Sequence, residues 1–260
     1  MALVTTGVAR RPRDFVAVRG PDATAYLQAM VSNDVEALVI GDACEALLLT
    51  PKARVIAPLL VLRRGVDDLL LLTEQGLGDV VRATLVRSRF AAKCDIEPEA
   101  HDVAVVLGEA SGIPTSEYGV EAYEVLDAAL EPTVGEDDLE LLRIRAGTPR
   151  FGREIDDRVL PAEAGLVERA VSFTKGCYPG QEPVARLHHR GHANRALRAL
   201  LVETDELPAY DAELVHDGKV VGRVTSAVRA DDAVLALAYV RVEVPDDAEL
   251  EVEGRRARLH

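Results

Sequence analysis

The sequence predicts an α+β body followed by a small all-β module, and three observations carry that prediction. Apolar runs at 45–50, 55–63 and 68–73 follow one another with only short turns, at Pro51-Lys52 and Gly65, between them. Strands adjacent in sequence with helices flanking them are the pattern of an antiparallel α+β layer. The last 65 residues lose helical periodicity and break into short strands, with Asp217-Gly218 and Glu253-Gly254 where hairpin turns belong. Apolar residues make up 48% of a 260-residue chain, enough to bury a core of this size.

The chain opens with a short strand at 15–18. Gly20-Pro21-Asp22 then starts a helix, with proline or aspartate near its first turn. Ala23, Tyr26, Leu27, Met30 and Val31 recur at helical spacing, so one face is buried, and Ser32-Asn33-Asp34 supplies turn chemistry at its end. The three apolar strands come next. A helix over 77–90 follows, with Leu77, Val80, Val81 and Leu85 on one face, and further strands read at 94–96 and 103–107. Residues 108–136 are rich in Gly, Pro, Glu and Ser and read as loops around one strand at 123–126. A helix over 137–146 ends at Gly147, the position a helix C-cap favours. In the tail, strands read at 197–203, 213–216, 219–224, 234–240 and 249–252, a small β-barrel or sandwich.

Composition excludes several classes. The net charge of −14 disfavours general binding to nucleic acid or anionic membrane, and a direct nucleic-acid interface is not expected. Three cysteines, Cys44, Cys94 and Cys177, lie far apart with no CxxC pair, which is neither a disulfide framework nor a zinc site. A reducing cytoplasm fits this usage best. No signal-peptide pattern opens the chain, and no run reaches the eighteen or so apolar residues of a membrane helix.

The chemistry concentrates in the stretch 172–191. Its centre is Lys175-Gly176-Cys177-Tyr178-Pro179-Gly180-Gln181-Glu182. Two glycines and a proline within five residues read as a loop. Lys175 and Cys177 are two apart, so an extended backbone sends both side chains to one face. Gly176 between them lets another backbone or a ligand approach. A nearby ammonium favours thiolate over thiol. The simpler alternative is that Cys177 is a small packed residue.

After it comes a local positive island. No acid falls within 183–202, whereas Arg186, Arg190, Arg195, Arg198, His188, His189 and His192 do. It reads equally as an anion site, for ligand carboxylates or RNA phosphate, and as a solvated loop whose arginines pair with acids elsewhere. The adjacent histidines have no carboxylate or thiol spaced to join them, so no metal is expected.

The central octet resembles the signature of the YgfZ family, the folate-binding relatives of the glycine-cleavage T-protein. That signature is Lys-Gly-Cys, an aromatic or similar residue, any residue, then Gly-Gln-Glu. Other blocks resemble the family in order along the chain: Gly20-Pro21-Asp22-Ala23, Ser32-Asn33-Asp34-Val35, Leu160-Pro161-Ala162-Glu163, and Val221-Gly222-Arg223-Val224-Thr225-Ser226. The segment Leu49-Thr50-Pro51-Lys52-Ala53-Arg54 matches a family strand turn, with Ala53 where glycine is usual. Alanine takes a positive φ at a cost, so a slightly different turn is expected there.

The resemblance implies a T-protein-like fold: a folate-binding region of two intertwined lobes over 1–195, then a C-terminal β-barrel module over 196–260, around a central opening that holds tetrahydrofolate or a related reduced folate. It implies Glu163 as the pterin ligand, because a carboxylate accepts paired hydrogen bonds from the pterin amino group and ring N–H. Cys177 becomes the reactive residue and Lys175 its activator. Gln181 and Glu182 support the loop and, with Tyr178 and Arg190, complete the folate set. The function implied is that of a folate-dependent accessory protein for iron–sulfur cluster assembly or repair, affecting tRNA thiomethylation, with iron–sulfur proteins or assembly factors as partners. An aminomethyltransferase of glycine cleavage and a folate-binding module without chemistry are the alternatives. Against the first, the T-protein's adjacent aspartates align with Ala57 and Pro58.

Overall fold

The computed structural model describes residues 4–110 and 112–260. In chain order, β1 (Gly7–Arg10), β2 (Arg13–Arg19) and α1 (Ala23–Met30) precede the three apolar strands β3 (Ala43–Leu49), β4 (Val55–Gly65) and β5 (Asp68–Glu74). Helix α2 (Gly78–Ser88) and strands β6 (Asp95–Glu99), β7 (Val103–Leu107), β8 (Ile113–Pro114) and β9 (Ala122–Leu126) follow. Then come α3 (Glu136–Arg145), α4 (Val167–Ala170) and α5 (Gln181–Arg190). The tail holds β10 (Arg195–Val202), β11 (Glu213–His216), β12 (Lys219–Ala230), β13 (Ala233–Arg241), β14 (Leu250–Val252) and β15 (Arg255–Leu259).

The first sheet runs β3-β4-β5-β2-β6, and its pairings are antiparallel. Side chains alternate across it. Val16, Val18, Leu69 and Leu71 meet Leu27 of α1 and Leu85 of α2, while Phe15, Ala17, Leu70 and Leu72 meet Ile113, Val103 and Leu126 of the second sheet. Both faces are buried, so β2 and β5 read as near-continuous apolar runs. The second sheet runs β1-β7-β9-β8. Helix α3 packs Leu139 and Leu142 on it, and turns Leu141 and Ile144 toward Val228, Leu235 and Leu237 of the tail. The tail is a closed barrel, β10-β13-β12-β11-β14-β15, in which β10 pairs with both β13 and β15. Closure leaves no strand edge exposed.

Three sequence expectations change. The segment after Gly180 is a helix, α5, and not a loop: Pro183 falls in its first turn, where the backbone N–H it lacks has no helical partner to lose. The turn at Ala53 keeps the left-handed geometry that glycine would favour, with φ of 58°, although Ala53 is fully buried. Strands β1, β8 and β15 and helix α4 were not expected. In β15 the alternation of exposed Arg256 and Arg258 with buried Ala257 hides a strand in a charged run.

Candidate functional site

The loop 172–180 is fastened to the first lobe at both ends. The Ser172 N–H donates to the Ser32 carbonyl at 3.0 Å. The Ser32 hydroxyl donates to the Ala170 carbonyl at 2.6 Å and accepts the Leu47 N–H at 2.8 Å. The Asn33 amide donates to the Glu45 carbonyl at 2.7 Å and the Arg169 carbonyl at 3.3 Å. Ser32 and Asn33, read from sequence as turn residues only, therefore clasp α4 to β3. At the far end Gly180 has φ of 84°, and a Cβ there would lie 2.6 Å from the Thr50 carbonyl oxygen. Only glycine allows that approach without displacement.

Within the loop, Lys175 and Cys177 part company. The Ser172 hydroxyl accepts the N–H groups of Thr174 and Lys175, which turns the backbone and ends the extended geometry that a shared face requires. Lys175 is buried; its ammonium donates to the carbonyls of Gln28, Val31 (2.6 Å) and Asn33 (3.0 Å). These carbonyls lie at and just beyond the C-terminal end of α1, where a cation completes the helix. Burial pulls the Lys175 ammonium down to about 8, against the pull of Asp34, Cys44 and Glu36. Cys177 is exposed. Lys175 thus anchors the loop, and among the described residues no hydrogen bond joins its ammonium to the exposed thiol. Nothing lies within 4 Å of a Cβ placed on Gly176, so no close approach uses that glycine among the described residues. Cys44 and Cys94 sit in or beside the core, and burial pushes the Cys44 thiol up to about 12 and raises that of Cys94.

Tyr178 is buried among Leu49, Val55 and Val184, its ring centroid 5.3 Å from the Lys175 ammonium. Burial pushes its phenol up to about 12, and its hydroxyl has no partner among the described residues. It packs the loop; its ring lines none of the clefts described below. Gln181 is half-buried at the first position of α5, and Glu182 is exposed in that first turn.

Glu163 is held, not free. Arg195 grips its carboxylate with two N–H groups, at 3.0 and 3.2 Å, and the Leu160 N–H donates to it at 3.0 Å. Arg195 in turn lies 4.7 Å from the Tyr239 ring centroid. Leu160 lines one cleft, of about 510 Å³, with Lys52, Arg54, Arg186 and Arg190. Arg195 lines another, of about 490 Å³, with Tyr239, Arg223 and Asp211. Glu163 therefore joins a residue of one cleft to a residue of the other. Both clefts fall in the size range of small-molecule sites, roughly 300–1,000 Å³.

The opening expected between the lobes is largely closed. Arg13 pairs there with Glu117 and Glu124, and Arg11 with Glu74. What remains is a cavity of about 40 Å³ beside Pro58. Larger clefts lie elsewhere: the two above, and one of about 550 Å³ lined by Arg10, Arg11, Glu140, Arg150, Tyr210 and Ser226. The positive island divides as well: Arg195 and Arg198 pair with Glu163 and Asp246, whereas Arg186 and Arg190 stay exposed. His188 and His189 lie on helix α5, and His188 stacks on Phe173 at 4.2 Å. Lys52 and Arg54, which complete the basic cleft, come from a turn 130 or so residues away in sequence and carry no local signal of it.

No family model matches the chain. The tRNA-modifying protein YgfZ of Hamiltonella defensa is 24% identical to it, over 92% of this chain and 84% of that protein. An aminomethyltransferase of Nostoc is 26% identical, over 92% of this chain and 78% of that protein. Among solved structures, the glycine cleavage system aminomethyltransferase T of Bartonella henselae matches with a TM-score of 0.82 over 98% of this chain and 84% of that one, at 19% identity, which establishes a common fold.

Proposed function

We propose that the chain, which is similar to YgfZ proteins along most of its length, is a folate-dependent accessory protein of the YgfZ kind, acting in tRNA modification through iron–sulfur cluster assembly or repair. The observation that carries this reading is the setting of Cys177. It is an exposed thiol on a loop that Lys175, Ser172 and Gly180 fasten to the first lobe. A positioned, accessible thiol suits exchange with soft metal–sulfur centres of a client protein. Lys175 holds the loop, and Gln181 and Glu182 present polar groups at the start of α5 beside it.

The residues fit a reduced folate by the chemistry of their donor set. A carboxylate offers about four acceptor positions. Arg195 and Leu160 take three at Glu163, leaving one position, which can accept from one of the two pterin donors rather than from both. Arg190 stands at the neighbouring cleft for the ligand's carboxylates. Folate, when bound, supplies one-carbon chemistry; the chain's residues bind and orient it. Calorimetry with tetrahydrofolate is expected to show binding that Glu163→Gln weakens about tenfold or more, the loss of one charge-assisted hydrogen bond. No binding by the wild type at millimolar ligand removes the folate reading.

Relatives that are aminomethyltransferases favour a second reading, aminomethyl transfer. The positions that align with the T-protein's aspartates, Ala57 and Pro58, supply no acid. The carboxylates that line the cavity beside Pro58 are engaged: Glu45 with Arg169 at 2.9 Å, Glu74 with Arg11 at 2.9 Å and Glu117 with Arg13 at 2.5 Å. General acid–base assistance is worth about a hundred- to ten-thousandfold in rate. In the same preparation, aminomethylated lipoyl carrier protein and tetrahydrofolate should give no methylene-tetrahydrofolate at ordinary enzyme rates, on the order of 1 per second. Turnover at that rate would promote this second reading.

A further inference from the structure

We infer that the cleft of about 550 Å³ where the barrel meets the body takes a free peptide of two or three residues, laid as an added strand beside β12 and gripped at both charged ends; this goes beyond the folate reading and does not depend on it.

The backbone of β12 carries the inference. β11 pairs with β12 only as far as Arg223, whereas β13 pairs with it to Ala230. From Thr225 onward, among the described residues, β12 therefore has a strand neighbour on one side only. Along an antiparallel strand, alternate residues turn their N–H and C=O toward a given neighbour, and the residues between turn them away. Val224 turns both away from β13, onto the Ala212 carbonyl and the Asp211 N–H, each at 2.9 Å. A β-bulge then inserts Thr225 before Ser226 opposite Leu237, so Ala227 is the next residue to turn outward. Counting back from the two-residue hairpin between Ala230 and Ala233 gives the same residue. Among the described residues nothing bonds the Ala227 N–H or C=O from that side. This margin is not open surface: Thr225 and Ser226 are buried, and Ala227 is half-buried in the cleft wall. A donor and an acceptor side by side on a strand margin are the groups that an added strand uses.

The charges of the cleft sort by element. Glu136 and Asp137, in the first turn of α3, form no ion pair among the described residues. Arg10 and Arg153 form none either. Arg153 lies over the Tyr210 ring, 5.8 Å from its centroid, and Tyr210 donates its hydroxyl to the Arg153 carbonyl at 3.4 Å. The other cations of the lining are taken: Arg11 stands 2.9 Å from Glu74, and Arg150 3.0 Å from Glu140. Opposite charges thus line one concavity without pairing across it, which suits a ligand that carries both signs. A peptide with free ends does, its ammonium toward the α3 carboxylates and its carboxylate toward Arg153. A dicarboxylate or a phosphate would be repelled by Glu136 and Asp137. A single amino acid has no peptide unit to offer Ala227. At about 3.3 Å per residue, the four β12 residues in the wall, 224–227, match a partner strand of two or three. Leu139, Leu207 and Pro208 add apolar surface that any aliphatic side chain satisfies.

Calorimetry with the tripeptide Ala-Leu-Ala tests this. The free peptide should bind at millimolar concentration. N-acetylation and C-amidation should each weaken binding about tenfold, the loss of one charge-assisted contact. Methylation of the central peptide nitrogen, which removes the donor to the Ala227 carbonyl, should weaken it about as much. Arg153→Gln, on an exposed side chain, should bind the free peptide about tenfold more weakly and the C-amidated peptide as the wild type does. No binding of the free peptide overturns the proposal. So does free alanine that binds as tightly as the tripeptide, or an N-methylated peptide that binds as well as its parent. C-amidation that costs as much in Arg153→Gln as in wild type also overturns it, because the peptide's carboxylate then lies elsewhere. Each of these results leaves the folate reading where the tetrahydrofolate titration puts it.

Discussion

Lys175 and Cys177 stand two residues apart and meet opposite environments, and the reason is local. The Ser172 hydroxyl takes two backbone N–H groups of the loop, and the backbone bends over residues 173–175, so it is not extended at the lysine. The lysine then reaches three carbonyls at the end of α1, an acceptor set 142 to 147 residues distant in sequence. A motif shows which residue types are present but not which partners a fold delivers to them, and here the partner of the ammonium is a helix end. For the cysteines, environment predicts an order of reaction. Cys177 is exposed, while burial raises the thiols of Cys44 and Cys94. The thiolate is the reacting form and needs access. Iodoacetamide added to native protein should therefore alkylate Cys177 before the other two, which should react at comparable rates only after denaturation; peptide mass mapping reads the order. Native labelling led by Cys44 or Cys94 would place the accessible thiol elsewhere.

At the scale of elements, strands and helices with a clear apolar period were legible, and those set by long-range contacts were not. β4, β5 and β13 declare themselves because they are buried on both faces or alternate cleanly. Gly147 was legible as the cap of α3, and it has φ of 69° there, with the Thr148 N–H on the Arg143 carbonyl at 3.1 Å. α5 was not legible. Its glycine and proline read as loop signals, yet Gly180 is the left-handed residue before the helix and Pro183 a tolerated first-turn residue. The packing against Thr50 that makes Gly180 necessary lies 130 residues upstream and leaves no local trace. Gly180→Ala should lower the unfolding free energy by about 2–4 kcal/mol, because a positive φ alone costs about 1 kcal/mol or more and the Cβ meets backbone. Gly176→Ala has open space and should stay within about 0.5 kcal/mol of wild type. Urea titration of both variants measures the contrast, and equal effects would mean that the α5 start is not locked to the β3–β4 turn.

Across the whole molecule, the two sheets of the body meet through apolar side chains on one stretch and through buried ion pairs on the next. Arg13 of β2 lies between Glu117 and Glu124, and Arg11 between Glu74 and Glu117. These partners are about 100 residues apart or come from different strands, so no sequence pattern joins them. Removing one member of a buried pair leaves the other charge unsatisfied and typically costs about 3–5 kcal/mol. Glu117 gives the cluster its pH dependence. Burial pushes its carboxyl up, but Arg13 and Arg11 outweigh burial and hold it down to about 2. In the unfolded chain a glutamate titrates near about 4.3. The folded pKa is the lower, so the stabilisation from Glu117 is complete above about pH 4.3 and drains away as pH falls from there toward 2. Glu117→Gln cannot titrate. Its deficit against wild type should be about 3 kcal/mol at neutral pH and should shrink progressively below about pH 4 as the wild-type carboxylate takes up its proton. Guanidinium unfolding of both proteins across that range checks this. A deficit that stays constant down to the lowest pH at which both fold would show that the Glu117 charge does not hold the two sheets together.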